Sequence, residues 1–215
     1  STAAASGGVD PARAAPQIGG MTQDFASRLT RQPIPFDREA GAEIRRSFAD
    51  LAPELAGLLE GTAGCSPYLR GLMLREAGWL PEALADPEAA LDAVLAAPEA
   101  ASPEALPLAL RQAKRRVALL TALADLGGVW RLEEVTAALT RLADTAVDLS
   151  IKALVADEIR RGKLPGAMPG DAATAAGMVV LAMGKMGAQE LNYSSDIDLI
   201  CLFDEARYPG AAPEA

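Results

Sequence analysis

The amino-acid sequence predicts a mainly α-helical protein in which a helical domain precedes the start of a smaller strand–helix–strand domain. The 215 residues are 50 % hydrophobic but only 4 % aromatic, which favours helices because strands prefer β-branched and aromatic residues. Apolar residues recur every three or four positions between Phe36 and Ile159, as on a helix with one buried face. After Gly177 this pattern gives way to short, continuous apolar runs, which are typical of buried strands. The same composition and periodicity disfavour an all-β sandwich and disorder of the whole chain.

Residues 1–35 lack this periodicity. Their first 20 residues are mostly small and rich in Ala, Gly and Pro. They also lack the basic start and apolar core of a signal peptide. We expect residues 1–35 to be a disordered or leader segment, in which either Met21 is the native initiator or the residues before it are an added leader.

The helical domain is predicted over residues 36–163. Pro53 interrupts its first apolar stripe and cannot donate a backbone hydrogen bond inside a helix, so we expect one kinked helix or two shorter ones. Gly61 and Gly64 are expected to end this stretch. The stripe consists of Ile44, Phe48, Leu51, Leu55, Leu58 and Leu59.

Three Ser-Pro or Asp-Pro pairs predict the starts of the next helices. In each pair the first side chain can accept hydrogen bonds from free amides, and the fixed φ of proline suits the first helical turn. These pairs are Ser66-Pro67, Asp86-Pro87 and Ser102-Pro103, and the helices that follow are expected to end near Gly78, at Pro98 and at Gly127-Gly128.

The last and longest helix is predicted from Leu132 to Ile159, followed by cations that suit the negative end of its dipole. Residues 162–177 carry Gly and Pro without periodicity, which places a domain boundary there and assigns residues 164–215 to the second domain. In that domain we predict a strand over residues 177–183, a turn and short helix over residues 184–192, and a second strand over residues 196–203.

Charge and composition disfavour or exclude several classes of function. The net charge of −9 disfavours binding to nucleic acid or to an anionic membrane, and no apolar run is long enough to span a bilayer. Because the chain has no histidine, it cannot contain a Ser–His–Asp triad or a His-ligated zinc site, and any metal site must use carboxylates. Cys65 and Cys201 are isolated, which suits a reducing cytoplasm.

Asp196 and Asp198 form an Asp-x-Asp pair at the start of the second predicted strand. Residues i and i+2 of a strand point to the same face, so the two carboxylates are expected to lie side by side. Like charges at such a distance need a cation between them, and hard oxygen ligands suit Mg²⁺ or Mn²⁺. We therefore predict that both side chains bind a metal ion and act in catalysis.

The segment just before this pair offers groups that can bind phosphate. Gly184 and Gly187 follow a predicted strand and precede a helix, where free amides and the helix dipole can hold a phosphate. Lys185 can add a positive charge, and the hydroxyls of Ser194 and Ser195 can donate hydrogen bonds to phosphate oxygens. A glycine turn beside two metal-binding carboxylates is the arrangement that nucleotidyl transfer requires.

Simpler interpretations exist for each part. The Asp-x-Asp pair can be an acidic strand edge that blocks unwanted pairing, and the two glycines can serve a tight turn with close helix packing. Lys185 can be a solvated surface side chain, while Glu190 and Asn192 fit a turn at the strand entry. The order of strand, glycine turn, Ser-Ser-Asp-x-Asp and strand is more specific than any of these parts.

The segment GKMGAQELNYSSDIDLICLFD, residues 184–204, resembles the nucleotidyltransferase motif of the bifunctional glutamine synthetase adenylyltransferase and adenylyl-removing enzymes. Residues 66–70, 110–116 and 132–136 also resemble helical segments of that family. The resemblance implies a polymerase-β-like nucleotidyltransferase α+β domain after the helical domain. It also implies control of glutamine synthetase by reversible adenylylation of a tyrosine, with the PII signal protein as a further partner.

The motif is most similar to that of the N-terminal, adenylyl-removing half, which releases ADP by phosphorolysis. In this family a third carboxylate arrives on a later strand. Asp204 cannot replace it, because six residues of a strand from Asp198 span roughly 20 Å, whereas carboxylates that share Mg²⁺ lie about 2 Å from it. We therefore expect a fragment with an incomplete site. A different protein- or small-molecule-modifying nucleotidyltransferase and a non-catalytic helical interaction module remain the alternatives.

Overall fold

The computed structural model describes residues 24–204, in which a set of packed helices is followed by a two-stranded antiparallel sheet. The predicted fold class, mainly α followed by a strand-containing segment, is confirmed. Short 3₁₀ helices lie at Ala97–Ala100 and Pro169–Gly177. The other elements, in chain order, are α1 (Phe25–Arg28), α2 (Arg38–Ser47), α3 (Pro53–Cys65), α4 (Pro67–Arg75), α5 (Leu80–Ala85), α6 (Pro87–Ala96), α7 (Leu106–Leu126), α8 (Leu132–Arg160), β1 (Val179–Ala182), α9 (Gly184–Gly187) and β2 (Leu199–Leu202).

The predicted helix starts are confirmed at two of the three proline pairs. Ser66 accepts a hydrogen bond from the Leu69 amide at 3.2 Å, and Asp86 accepts one from the Ala89 amide at 3.0 Å. At the third pair, Ser102 caps only a turn, and α7 begins at Leu106. The predicted ends of α7 and α8 agree with the structure to within one residue.

Pro53 separates two shorter helices, α2 and α3, and is the first residue of α3. The prediction that Gly61 and Gly64 end this stretch is wrong, because α3 continues to Cys65. A Cβ on Gly61 would overlap the backbone carbonyl of Pro33, and one on Gly64 would lie 2.6 Å from the carbonyl oxygen of Asp37. Both glycines thus allow another part of the chain to approach α3 closely.

That approaching part is residues 29–37, here named the N-terminal strap. The amides of Thr30 and Arg31 donate to the carbonyl of Gly127 at 3.0 and 3.3 Å, and Phe25 just before the strap is fully buried. The expectation of disorder is therefore wrong for residues 24–35, whereas the expectation of a leader stays a prediction, and residues 1–23 lie outside the described part. Backbone hydrogen bonds and packed prolines hold the strap, and neither produces an apolar periodicity.

One core joins the helices to the segment after the predicted boundary. Its fully buried side chains include Ile44, Leu59 and Leu123, and the same cluster contains Met186 and Leu191. The segment that carries the Asp-x-Asp pair is thereby fixed against the helices. The division into domains at residues 163 and 164 stays a prediction.

The two strands are shorter than predicted. β1 pairs with β2 in antiparallel register, with Val179 opposite Leu202 and Ala182 opposite Leu199. Asp196 and Asp198 consequently lie in the segment that leads into β2 and not within the strand, which corrects the prediction. One more hydrogen bond, from the Met183 amide to the Asp198 carbonyl at 2.9 Å, continues the pairing to Asp198.

None of the helices between residues 24 and 204 has both the length and the apolar character needed to span a bilayer.

Candidate functional site

The glycine bend and Asp198 of the Asp-x-Asp pair meet at the end of the sheet. Gly184 follows β1 after one residue and has a φ of +56°, a left-handed conformation that L side chains rarely adopt. A Cβ built on Gly184 would lie 3.8 Å from Oδ2 of Asp198. The antiparallel pairing therefore brings Gly184 and the Asp198 carboxylate together.

Among residues 24–204, no cationic side chain lies beside the two carboxylates. Asp196 and Asp198 are exposed, and within residues 24–204 neither forms a salt bridge with Lys or Arg. No group of three or more potential metal ligands occurs in that part of the chain. Two carboxylates fit Mg²⁺ or Mn²⁺ when water and phosphate oxygens complete the coordination, since Mg²⁺ in particular keeps several such ligands.

Gly187 serves the packing of the bend. A Cβ at this position would overlap the carbonyl of Ala182, so only glycine lets the single turn α9 lie against β1. Its amide donates to the Met183 carbonyl at 3.2 Å. The Lys185 side chain is exposed on the same turn and forms no ion pair among residues 24–204.

The two serines differ in their surroundings. The Ser195 hydroxyl donates to Oδ1 of Asn192 at 2.7 Å and accepts from the Asn192 amide at 3.3 Å, which closes a turn at the strand entry. The Ser194 amide donates to the same Asn192 oxygen at 3.2 Å, while its side chain is exposed. Asn192 thus shapes the loop that presents Asp196.

Two hydrogen bonds tie this loop to the long helices. The Leu191 amide donates to Oγ1 of Thr140 on α8 at 3.4 Å, and the Tyr193 hydroxyl donates to Oδ2 of Asp125 on α7 at 3.2 Å. Asp125 also contacts Arg31 of the N-terminal strap, at 3.5 Å. These contacts position the residues just before the Asp-x-Asp pair.

The environment of Tyr193 keeps its hydroxyl protonated. Tyr193 is 52 % exposed, and its partial burial raises its pKa, while the charge of Asp125 and the hydrogen bond to it raise it further. Sequence reasoning missed Thr140, Asp125 and Tyr193 because the partners lie 51 and 68 residues apart in the chain. No local pattern signals such a pairing.

Comparisons with known proteins identify relatives over most of the chain. The family model described as glutamate-ammonia ligase adenylyltransferase matches residues 58–214. Proteins named bifunctional glutamine synthetase adenylyltransferase/adenylyl-removing enzyme are 41 % identical over 185 residues in Caulobacter vibrioides and 46 % identical over 202 residues in Bradyrhizobium diazoefficiens. These alignments cover 82 % and 88 % of this chain but only 18 % and 19 % of the two relatives.

A third relative, from Rhodopseudomonas palustris (strain HaA2), carries the same name and is 44 % identical over 182 residues. The chain thus spans about a fifth of the length of the curated relatives it matches. No solved structure matches it.

Proposed function

The chain belongs to the glutamate-ammonia ligase adenylyltransferase family, and from this membership we propose that it carries part of a nucleotidyltransferase site that acts on glutamine synthetase. The substrate would be a tyrosine of that enzyme, in its adenylylated or free form. The observation that carries the proposal is the proximity of Gly184 to the carboxylate of Asp198, beside which residues 24–204 place no cationic side chain.

The reaction we assign to this half is the removal of the adenylyl group. An oxygen of inorganic phosphate attacks the phosphorus of adenylyl-tyrosine, the bond from phosphorus to the tyrosine oxygen breaks, and that oxygen takes up a proton. The products are ADP and free tyrosine, so all atoms balance. The similarity of residues 190–198 to the adenylyl-removing version of the motif supports this choice over transfer from ATP.

Asp196 and Asp198 would hold Mg²⁺ or Mn²⁺, which when bound neutralises phosphate charge and aligns the attacking oxygen. The exposed side chains of Lys185 and Ser194 would contact phosphate oxygens beside the Gly184 bend. Ser195 would contribute its hydroxyl only after exchanging its hydrogen bond to Asn192. Gly187 would contribute through packing of the bend.

Metal binding by the chain tests the role of the carboxylates. Titration with Mn²⁺, followed by the loss of the free-ion electron paramagnetic resonance signal, is expected to show a site that Asp198→Asn weakens severalfold. Asp50→Asn is the matched control, since Asp50 is exposed and has no ion pair within residues 24–204. Equal binding by wild type and Asp198→Asn would contradict the proposal and favour a non-catalytic interaction module.

Catalytic activity of the isolated chain is a separate matter from metal binding. We expect the 215-residue chain on its own to release no ADP from adenylylated glutamine synthetase and phosphate. Residues 24–204 bring no third metal ligand to the Asp-x-Asp pair, and the family resemblance assigns the third carboxylate to a later strand. Measurable ADP release would show that two carboxylates suffice. Modification of a different acceptor by the longer protein would favour another nucleotidyltransferase.

The resemblance also supports a location in the cytoplasm and regulation through the PII signal protein. Binding of purified PII to the chain, measured by calorimetry, tests this partner. Absence of binding to the chain and to the longer protein would remove PII from the proposal.

A further inference from the structure

A groove rich in arginine lies between α4 and α7, away from the residues of the candidate site. Its cavity has a volume of about 480 Å³. We name it the arginine groove, and its lining residues are Arg75, Glu76, Gly78, Trp79, Glu82, Gln112, Arg115 and Arg116. Arg111 lies one turn before Arg115 on α7, and its carbonyl accepts a hydrogen bond from Nη1 of Arg115 at 3.4 Å.

The buried carboxylate of Glu76 holds two of these arginines in place. It is only 5 % exposed, and its two carboxylate oxygens accept hydrogen bonds from Nε of Arg115 at 3.0 Å and from Nε of Arg116 at 2.9 Å. The Arg116 guanidinium also lies 4.9 Å from the ring centroid of Trp79. Glu76 accepts only from the Nε atoms, so within the described residues 24–204 both terminal nitrogens of Arg116 and Nη2 of Arg115 remain available to a ligand.

The charges of the arginine groove are not balanced. Arg75 and Arg111 are exposed and form no ion pair within residues 24–204. The lining residues Arg75, Arg115 and Arg116 carry three positive charges against the two negative charges of Glu76 and Glu82, an excess of one, and Arg111 beside the groove adds a further positive charge. This excess occurs on a chain whose net charge is −9, so an acidic partner is repelled by the chain as a whole and attracted here.

We propose that the arginine groove is a docking surface for an acidic segment of a partner protein. The planar guanidinium group presents paired donors that match a carboxylate, and arginines held in place by Glu76 lose little freedom on binding. A small phosphate ligand fits the groove less well. Arginine forks match phosphate as well as carboxylate, but the carboxylates of Glu76 and Glu82 line the groove and oppose a compact dianion.

The arginine groove is separate from the candidate nucleotidyltransferase site. Tyr193 contacts Asp125, which lies nine residues beyond Arg116 on α7, or roughly 14 Å along a helix that rises 1.5 Å per residue. Docking involves none of residues 184–198. If the acidic peptide does not bind, the proposed nucleotidyl transfer is therefore unaffected. If the chain proves to have no part in nucleotidyl transfer, the docking proposal is likewise unaffected.

Fluorescence anisotropy with a labelled peptide of alternating Glu and Ala tests the proposal on the 215-residue chain at low ionic strength. We expect the peptide to bind, and an alternating Gln and Ala peptide not to bind. The double variant Arg75→Glu/Arg111→Glu is expected to weaken binding by about fivefold or more. The matched control is Arg38→Glu/Arg46→Glu, which makes the same charge change at two exposed arginines of α2 and is expected to weaken binding by less than about twofold.

Circular dichroism establishes that the variants are folded, and Arg75→Gln/Arg111→Gln provides a second, milder test in case the charge reversal unfolds the chain. The loss of peptide affinity expected for Arg75→Gln/Arg111→Gln is smaller, but it must still exceed the loss for the α2 control variant. Four results would overturn the proposal: no binding of the acidic peptide, equal binding of the Gln peptide, equal weakening by the α2 control, or displacement of the peptide by millimolar inorganic phosphate or ATP. The last result would assign the groove to a small phosphate ligand.

Discussion

Replacing Gly61 with alanine is expected to destabilise the protein, although the same change usually stabilises a helix. Gly61 lies in the interior of α3, and a Cβ there would overlap the backbone carbonyl of Pro33 in the N-terminal strap. The obstacle is backbone, so no side-chain rotation can relieve the overlap. Either α3 or the strap must move, and the packed contacts between them are lost.

The size of the effect follows from two opposing terms. Alanine in a helix interior is favoured over glycine by about 0.5–1 kcal/mol, and forcing extra volume into a packed contact costs about 1–3 kcal/mol. Gly71 in α4 isolates the first term, because nothing lies within 4 Å of a Cβ built there. Gly71→Ala is therefore expected to stabilise the protein. The difference in unfolding free energy between Gly71→Ala and Gly61→Ala then equals the cost of the packing overlap at Gly61.

Urea denaturation followed by circular dichroism measures both free energies of unfolding. We expect the free energy of unfolding of Gly61→Ala to be lower than that of Gly71→Ala by about 1–3 kcal/mol. The thermal midpoints of the two variants should differ by about 2–4 °C for each kcal/mol. If Gly61 instead ended the helix with open space around it, the two substitutions would differ by a few tenths of a kcal/mol only. Equal stability of the variants would refute the placement of the strap on α3.

Other predictions address the ionisable groups. Burial raises the pKa of Glu76, but the hydrogen bonds and charges of Arg116 and Arg115 outweigh it and hold that pKa below its ordinary value of 4.5. The Glu76 carboxylate therefore stabilises the fold above pH 4.5 and loses this effect as the pH falls through its lower folded pKa. We expect the gap in unfolding free energy between wild type and Glu76→Gln to be constant near neutral pH and to shrink on acidification; a gap independent of pH would contradict the buried pairing. Tyr193→Phe is expected to cost about 0.5–1.5 kcal/mol through loss of the hydrogen bond to Asp125. Because the pKa of Tyr193 is raised above 10.0, the stability that this residue confers should decline only in strongly alkaline solution. In an ultraviolet titration, Tyr193→Phe should lose the tyrosine ionisation that occurs at the highest pH in the wild type. The control variant Tyr68→Phe should retain that ionisation.

Much of the helical part could be predicted because its signals are local. Pro53 separates α2 from α3, and Ser66 and Asp86 cap the helices that follow them. Each of these effects involves residues within one or two helical turns, and such interactions recur wherever the same residues occur in the same order. The adjacency of Gly184 and Asp198 also follows from a short connection between two apolar runs.

The sequence by itself determined most of the helices, the caps at Ser66 and Asp86 and the chemical character of the Asp-x-Asp segment, because these depend on neighbouring residues. Only the tertiary structure decided that Gly61 and Gly64 lie inside α3 and that residues 29–37 pack upon it. It also decided that Tyr193 reaches Asp125 and that Glu76 orients two arginines of α7. Each of these features joins residues far apart in the chain, and their pairing depends on how complete helices pack, which no local pattern of residue types encodes.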